Sequence, residues 1–224
     1  PAGVCRIDRL FHDLCMSPIE PATPASSPAS AVSWSDPARE RSFHAWLDSL
    51  DGLGLVPGSV RPASADASFR RYLRIDTAHG TRIVMDAPPS HEDCRPFVQL
   101  ARLLRTAGLQ APEILAWHEA DGFMLLSDLG STTYLQALND RPDQTDALYR
   151  DALVALVRLQ GLEARTQVPA YDRALLLREM QLFPDWYIAR HQGLVLSEKE
   201  QAVLEHSFEH LLANALAQPA VLVH

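Results

Sequence analysis

Three arginines and a serine stand close together in the segment ADASFRRYLR, residues 65–74. The Ser68 hydroxyl and the backbone N–H groups beside it can hold phosphate oxygens, and Arg70 or Arg71 can add positive charge. Arginine has to supply that charge, because Lys199 is the only lysine and lies at an acidic helix start. The segment is a candidate phosphate site, and the alternative is an ordinary hairpin whose arginines face solvent.

A second group of chemically useful side chains lies in the segment DWYIAR, residues 185–190. The rings of Trp186 and Tyr187 can stack on the face of a sugar, while Asp185 and Arg190 can bond its hydroxyl and acyl groups. Rings of this size are also commonly buried in a protein core. The segment therefore indicates either a sugar-binding surface or a packed helix.

Composition narrows the classes of partner. The chain has 224 residues, is 47% hydrophobic and carries a net charge of −8, which argues against broad binding to nucleic acid or to anionic membranes. Its three cysteines are scattered, so we expect no disulfide framework, no cysteine metal site and a reducing, cytoplasmic location. No apolar stretch approaches the length of a transmembrane helix.

The first part of the sequence predicts an extension followed by a helix. Residues 17–33 are rich in Pro, Ala and Ser and poor in large apolar side chains, so we expect residues 1–35 to form a disordered N-terminal extension. Asp36-Pro37 is typical of a helix start. The apolar residues that follow have helical spacing, namely Phe43, Trp46, Leu47 and Leu50.

Between residues 54 and 128 the pattern favours strands. We expect an irregular strand at 59–64, a hairpin formed by 69–76 and 82–87 with a turn at His79-Gly80, and two more strands at 114–118 and 123–127. A helix capped by Ser90 or Asp93 and ended by Gly108 falls after the third strand. This order predicts an α+β unit rather than a parallel βαβ sheet.

Beyond Gly130 the sequence predicts helices. We expect a short helix capped by Ser131, a longer one from about residue 143, and one over 173–191 interrupted at Pro184. The capping box Ser197-x-x-Glu200 opens the last helix. Its expected buried residues are Val203, Leu204, Phe208, Leu211 and Leu212.

Four segments, in this order, resemble the aminoglycoside-phosphotransferase-like kinases. They are ADASFRRYLR at 65–74, VMDAPP at 84–89, MLLSDLG at 124–130 and FPDWY at 183–187. Within that superfamily they are most similar to the bacterial branch that phosphorylates N-acetylmuramate and N-acetylglucosamine during cell-wall recycling. The resemblance covers about residues 36–224.

The resemblance implies a two-lobed, protein-kinase-like α+β fold. A nucleotide-binding lobe with a five-stranded antiparallel sheet would span residues 36–128, and an incomplete helical lobe on the substrate side would span 129–224. The implied nucleotide-binding residues are Ser68, Phe69, Arg70, Arg71, Met85, Asp86, Leu126, Ser127, Asp128 and Leu129. The implied sugar-binding residues are Asp185, Trp186, Tyr187 and Arg190.

Met85-Asp86 departs from the family pattern, because it falls where such kinases place a lysine on the third strand. The helix that follows also offers no glutamate in its middle to pair with such a lysine. Three explanations remain open for this position. Arginines of the preceding strand substitute for the lysine, Asp86 acts through Mg²⁺ or water, or Asp86 only caps the Pro88-Pro89 turn.

The reaction implied by the resemblance is transfer of a phosphoryl group from ATP, with Mg²⁺, to the anomeric 1-hydroxyl of an amino sugar. His224 resembles the first residue of an H-x-D-x-x-x-x-N catalytic loop. We therefore expect the catalytic aspartate and the metal ligands to lie beyond it, and residues 1–224 alone to lack turnover. The alternatives are a phosphotransferase acting on an aminoglycoside or a choline-like alcohol, and a noncatalytic module that binds a nucleotide or a sugar.

Overall fold

The computed structural model of the protein describes residues 4–6, 32–65, 69–163 and 168–223. Most of the predicted N-terminal extension, Ser68 and His224 lie outside the described residues. The described chain forms two compact units. One comprises residues 32–153, and the other comprises residues 154–223 together with strand β1 (Val4–Arg6).

The unit of residues 32–153 is built on a five-stranded antiparallel sheet with the order β2-β3-β4-β6-β5. Its strands are β2 (Leu55–Ala65), β3 (Arg71–Thr77), β4 (Gly80–Asp86), β5 (Ile114–His118) and β6 (Phe123–Ser127). Helix α1 (Pro37–Asp48) precedes the sheet, and helix α2 (Arg95–Thr106) connects β4 to β5. The predicted α+β order, with one helix after the third strand, is confirmed.

Two details of the sheet differ from the prediction. Strand β2 is longer than the expected 59–64, and its pairing with β3 is shifted between Val56 and Arg61 and again between Pro62 and Ser64. The second shift lies at Pro62, which has no N–H to give to a ladder. The turn of the β3–β4 hairpin is Ala78-His79 rather than His79-Gly80, because Thr77 already pairs with Gly80.

The sheet has two different faces, because successive side chains of a strand point to opposite sides. The row Leu73, Val84 and Leu125 points to the first face and packs in one core with residues of α1. The row Tyr72, Met85 and Met124 points to the second face and is also buried. Helix α1 covers the first face, and the chain passes from β4 through α2 to β5, with β6 lying between these two strands in the sheet.

The start of α1 forms as its sequence predicts. Pro37 occupies the first turn, and the Asp36 carboxylate accepts a hydrogen bond of 2.8 Å from the Ala38 N–H. Packing begins a few residues before the predicted boundary, because Val32 and Trp34 lie against the same core as Phe43, Trp46 and Leu47 of the helix. The segment before α1 is therefore part of this unit.

A buried carboxylate ties α1 to the sheet. Asp86, which is only 1% exposed, ends β4 on the first face. Arg39 of α1 donates to its Oδ1 atom through Nη2 at 2.6 Å and Nε at 3.1 Å. Arg71, the first residue of β3, donates to its Oδ2 atom through Nη2 at 2.5 Å and Nε at 3.0 Å. Each arginine thus satisfies one carboxylate oxygen, and we call these three residues the Asp86 triad.

Aromatic rings cover both guanidinium groups of the Asp86 triad. The Arg39 guanidinium carbon lies 4.0 Å from the centre of the Phe123 ring, and that of Arg71 lies 4.1 Å from the Trp34 ring. Arg71 also donates to the Ser33 carbonyl oxygen at 2.9 Å. The triad therefore joins the segment before α1, the helix itself and the ends of two strands.

The rest of the chain is helical with short strands. Helix α3 (Tyr134–Asp140) and a 3₁₀ turn (Pro142–Gln144) lead into α4 (Thr145–Gln160), within which the boundary between the two units falls. The second unit continues through β7 (Ala170–Tyr171), α5 (Arg173–Leu182), a π-helix (Phe183–His191), α6 (Glu198–Leu216) and β8 (Leu222–Val223). Strand β1 lies between β7 and β8.

Two predictions for the helical part need correction, and one is confirmed. The side chain that caps α3 belongs to Thr133 and not to Ser131, since Thr133 Oγ1 accepts from the Gln136 N–H. In α6, Phe208 and Leu212 are buried as expected, but Val203 and Leu211 are exposed because the described residues place nothing over them. The capping box of Ser197 and Glu200 is present.

Among the described residues, no helix combines the length and the apolar character that crossing a membrane requires.

The Asp86 triad leads to a prediction about stability. Asp86→Asn removes the negative charge between two arginines and leaves their charges uncompensated. Because Arg71 is 38% exposed and water can screen part of its charge, we expect the free energy of unfolding to fall by about 2–4 kcal/mol. The matched control is Asp76→Asn, which weakens the Arg61–Asp76 pair of 2.8 Å, whose side chains are 30% and 45% exposed, and should cost at most about 1 kcal/mol. Urea unfolding of both variants measures the difference. Equal, small losses would show that the triad does not hold this unit together.

Candidate functional site

The clearest polar arrangement of the sheet unit lies where the chain leaves β6, at residues 127–130, which we call the connector. Asp128, whose side chain is 8% exposed, accepts hydrogen bonds from Arg74 Nε and from Thr81 Oγ1, both at 2.6 Å. It also accepts from the Gly130 N–H at 2.8 Å. Side chains of β4, the strand beside β6, and of β3, the next strand beyond it, thus hold the connector.

The charge of Asp128 is stabilised where it lies. Burial alone would raise the pKa of this carboxyl group, but the hydrogen bonds from Arg74, Thr81 and the Gly130 N–H outweigh burial and lower the pKa below its ordinary value. The carboxylate is therefore ionised at neutral pH. It forms a two-point contact with Arg74, whose Nη2 lies 3.1 Å from Oδ1.

The connector begins beside an apolar surface. Leu126 and Ile83, which are cross-strand partners, are buried on the second face of the sheet, while Leu129 is exposed. Ser127 is fixed by two hydrogen bonds with Glu113, one from each backbone N–H. A strand end of this kind offers backbone N–H and C=O groups next to an apolar floor, which suits the edge and the face of a planar heterocycle.

The segment at the start of β3 is attached to the turn between β4 and α2. The Phe69 ring, 65% exposed, stacks on His91 with 4.5 Å between ring centres. The next residue, Arg70, forms an ion pair with Glu92 at 3.1 Å. Burial would lower the pKa of Arg70, but interactions with Tyr72 and Glu92 raise it above its ordinary value. Two adjacent contacts therefore hold the described edge of the predicted phosphate loop.

Arg70 and Arg71 face different sides of the sheet. The pKa of Arg70 is raised in part by its interaction with Tyr72, whose side chain belongs to the second face. Arg71 binds Asp86 on the first face. The connector residue Asp128 is held by Arg74 and Thr81 of the second face, so Arg70 and the connector share that face while Arg71 does not.

At the position of the missing lysine, the side chains of Met85 and Asp86 point to opposite faces of the sheet. Met85 is buried on the second face, whereas Asp86 belongs to the Asp86 triad on the first. Arg71, of the preceding strand β3, binds Asp86 itself, and its substitution for the lysine stays a prediction. Sequence reasoning missed Arg39, because it is separated from Asp86 by 47 residues and no local pattern connects them. The assignment of Arg71, Met85 and Asp86 to a nucleotide site stays a prediction.

The predicted sugar-binding residues lie together on the π-helix of the second unit. Trp186 and Tyr187 are 55% and 50% exposed, so neither ring is a core residue. The Arg190 guanidinium carbon lies 4.0 Å above the Trp186 ring, and Tyr187 stacks on Phe183 with 5.6 Å between centres. Pro184, without an N–H, favours a break in the α-helical ladder, and such π segments are frequent at functional sites. Asp185 is exposed beside these rings.

A concave region separate from the connector lies beside α1, between that helix and β2. Its volume is about 520 Å³. Its lining includes Trp34, His44, Pro57, Arg61 and Asp76, of which Trp34 packs against the core on the first face. It shares no lining residue with the connector. Across the described residues, no group of three or more His, Cys, Asp or Glu side chains is placed to hold a metal ion.

Comparison with known proteins identifies the family. Residues 59–224 match the phosphotransferase enzyme family. A protein of Pseudomonas aeruginosa named N-acetylmuramate/N-acetylglucosamine kinase is 48% identical over 85% of this chain and 58% of its own length. Proteins of the same name from Pseudomonas putida and Neisseria meningitidis are 46% and 38% identical, over 80% and 72% of this chain and 55% and 49% of their own lengths.

The chain spans about half the length of the curated relatives that it matches, from 49% to 58%. The family match covers the sheet from within β2 onward and continues through the helical part. The order of strands and helices predicted for a kinase-like lobe is the order observed. The chain therefore belongs to the phosphotransferase enzyme family.

Proposed function

We propose that the protein is an ATP-dependent kinase that phosphorylates the anomeric 1-hydroxyl of N-acetylmuramate or N-acetylglucosamine, in the cytoplasm. The observation that carries this proposal is the 48% identity, over 85% of the chain, with a Pseudomonas aeruginosa protein named N-acetylmuramate/N-acetylglucosamine kinase. The geometry supports it, because the sheet unit has a fixed connector beside an apolar floor.

In this proposal the second face of the sheet unit receives the nucleotide. The adenine edge bonds to the connector backbone beyond the strand ladder, at the Ser127 carbonyl, Asp128 and Leu129, while Leu126 and Met85 belong to the apolar side chains beneath its face. Ser68, Phe69 and Arg70 cover the phosphates. Arg71 and Asp86 act from the opposite face, where they hold the ends of β3 and β4 in register.

In this proposal, both the metal ion and the protein neutralise the negative charge of the nucleotide phosphates. When bound, ATP supplies the phosphoryl group, and Mg²⁺ neutralises phosphate charge during transfer. The described residues fit the nucleotide better than the metal, since they contain no cluster of three possible ligands. Arg70 is the protein cation that we propose for the phosphates, because it shares the second face with the connector and the chain has no strand-three lysine.

The exposed rings of the π-helix are the proposed sugar contacts. The faces of Trp186 and Tyr187 can stack on the pyranose ring, and the Asp185 carboxylate can accept from its hydroxyl groups. Arg190, already positioned over Trp186, can bond the acyl or lactyl oxygens. This assignment uses only the chemistry of the side chains and their exposure.

The reaction can be tested on the full gene product with ATP and Mg²⁺. We expect N-acetylmuramate or N-acetylglucosamine to lose its reducing end as ADP forms, and ³¹P NMR to show a sugar 1-phosphate. The 1-O-methyl glycoside of the same sugar is the control, because it lacks the free anomeric hydroxyl and should not react. Phosphorylation of the methyl glycoside, or reaction of an aminoglycoside but no amino sugar, would refute the proposal.

Two substitutions should separate the nucleotide site from the sugar site. Arg70→Ala removes a charge-assisted phosphate contact, so we expect KM for ATP to rise about ten- to hundredfold while KM for the sugar stays the same. Trp186→Ala should do the reverse. The matched controls are Arg95→Ala, which removes an exposed arginine paired only locally with Asp93, and Tyr149→Ala, which removes a similarly exposed ring. If Arg70→Ala raised only the sugar KM, the assignment of the two sites would be wrong.

A further inference from the structure

The hydrogen bonds around Asp128 involve more than the connector itself. Arg74 belongs to β3 and Thr81 to β4, and both reach the same carboxylate at 2.6 Å. The side chains of Arg74 and Asp128 are 21% and 8% exposed, so the pair is largely withdrawn from water. We call Arg74, Thr81 and Asp128 the connector clamp.

The connector clamp fixes both peptide groups next to Gly130. The Gly130 N–H donates to Asp128 Oδ1 at 2.8 Å, and the Gly130 carbonyl accepts from Arg74 Nη2 at 3.3 Å. Gly130 has a φ of +95°. Glycine adopts positive and negative φ values about equally readily, so the residue alone does not fix this conformation. The ladder between β4 and β6 ends at the Arg82–Ser127 pair, so it does not set the backbone beyond Ser127. The side chains of the clamp do.

In the proposed site, the direction of the connector peptide groups just before Gly130, at residues 127–129, decides which purine can bind. Adenine presents an amino donor beside a ring-nitrogen acceptor on this edge, whereas guanine presents a carbonyl acceptor beside a ring N–H donor. Backbone N–H and C=O groups distinguish the two bases only if they are held in one orientation. A buried group left unpaired against the wrong base makes that distinction large.

We propose that the connector clamp is a positioning device that sets the preference of the enzyme for ATP over GTP. Arg74, Thr81 and Asp128 act through the connector backbone and need not touch the base. The proposal rests on the proposed function, since it assumes that the connector reads a purine. The lowered pKa of Asp128 agrees with it, because the carboxylate keeps its charge, and with it the two-point contact to Arg74, at neutral pH.

The test compares ATP with GTP in the full gene product, with the amino sugar as acceptor. Asp128→Asn removes the charge, Thr81→Val removes one hydrogen bond with little change of shape, and Arg74→Lys keeps the charge but loses the planar fork. For each variant, the ratio of kcat/KM for ATP to that for GTP should fall, by about tenfold for Asp128→Asn and Arg74→Lys and less for Thr81→Val. KM for the sugar should not change.

The matched control is Arg61→Lys, which makes the same chemical change in the half-buried Arg61–Asp76 pair of the same sheet and should leave the ratio unchanged. A purely structural role would lower activity with both nucleotides equally. Three results would overturn the inference: an equal loss with both nucleotides, an unchanged ratio in folded Thr81→Val and Arg74→Lys proteins, or a wild-type enzyme that uses both equally. A wild-type protein that phosphorylates the sugar with neither nucleotide would instead refute the proposed function.

Discussion

The carboxylate of Asp86, buried between Arg39 and Arg71, is the constraint on which the arrangement of the sheet unit depends. A buried charge that loses its partner costs several kcal/mol, so α1 and the ends of β3 and β4 must lie where both guanidinium groups reach the two oxygens. This requirement also sets the register of β4. With Asp86 on the first face, its neighbour Met85 has to point to the second, and a slip of one residue would exchange the two.

The two faces of the sheet consequently have different tasks. The first face is closed by α1 and by Trp34, which lie before the part of the chain that matches the phosphotransferase enzyme family, residues 59–224. The second face carries Arg70, the apolar floor and the connector clamp. The Asp86 triad thus stabilises the unit from the first face, whereas Arg70, proposed to meet the nucleotide, lies on the second. Strand alternation sends the neighbouring side chains of Arg70 and Arg71 to these opposite faces.

The sequence predicted best those elements whose signals are local. Strands 114–118 and 123–127, the cap at Asp36 and the capping box at Ser197 and Glu200 all depend on residues next to one another, and the structure has them as expected. Burial in α6 was harder, because periodicity identifies an apolar stripe and not what covers it, as Val203 shows. The cap of α3 was wrongly predicted at Ser131, since two hydroxyl residues follow it and all three have the same capping chemistry.

The chemistry of the candidate site was predictable only in part. The resemblance located the connector and the phosphate loop, but the contacts that shape them join residues far apart, 47 positions for Arg39 and Asp86 and 54 for Arg74 and Asp128. No spacing in the sequence predicts such pairs, because each arginine could in principle pair with any of the carboxylates. The different roles of Arg70 and Arg71 follow from the strand alternation, but which face each occupies required the structure.

Hydrogen exchange of the protein with and without ATP and Mg²⁺ tests most directly whether the second face of the sheet receives the nucleotide. We expect slower exchange at residues 124–130 and 69–72 on addition of the nucleotide. We expect no change in α1 or at residues 57–61, which line the concave region beside that helix. Protection of 57–61 and of the segment around Trp34 and His44, with an unchanged connector, would place the nucleotide on the first face and refute the proposed site.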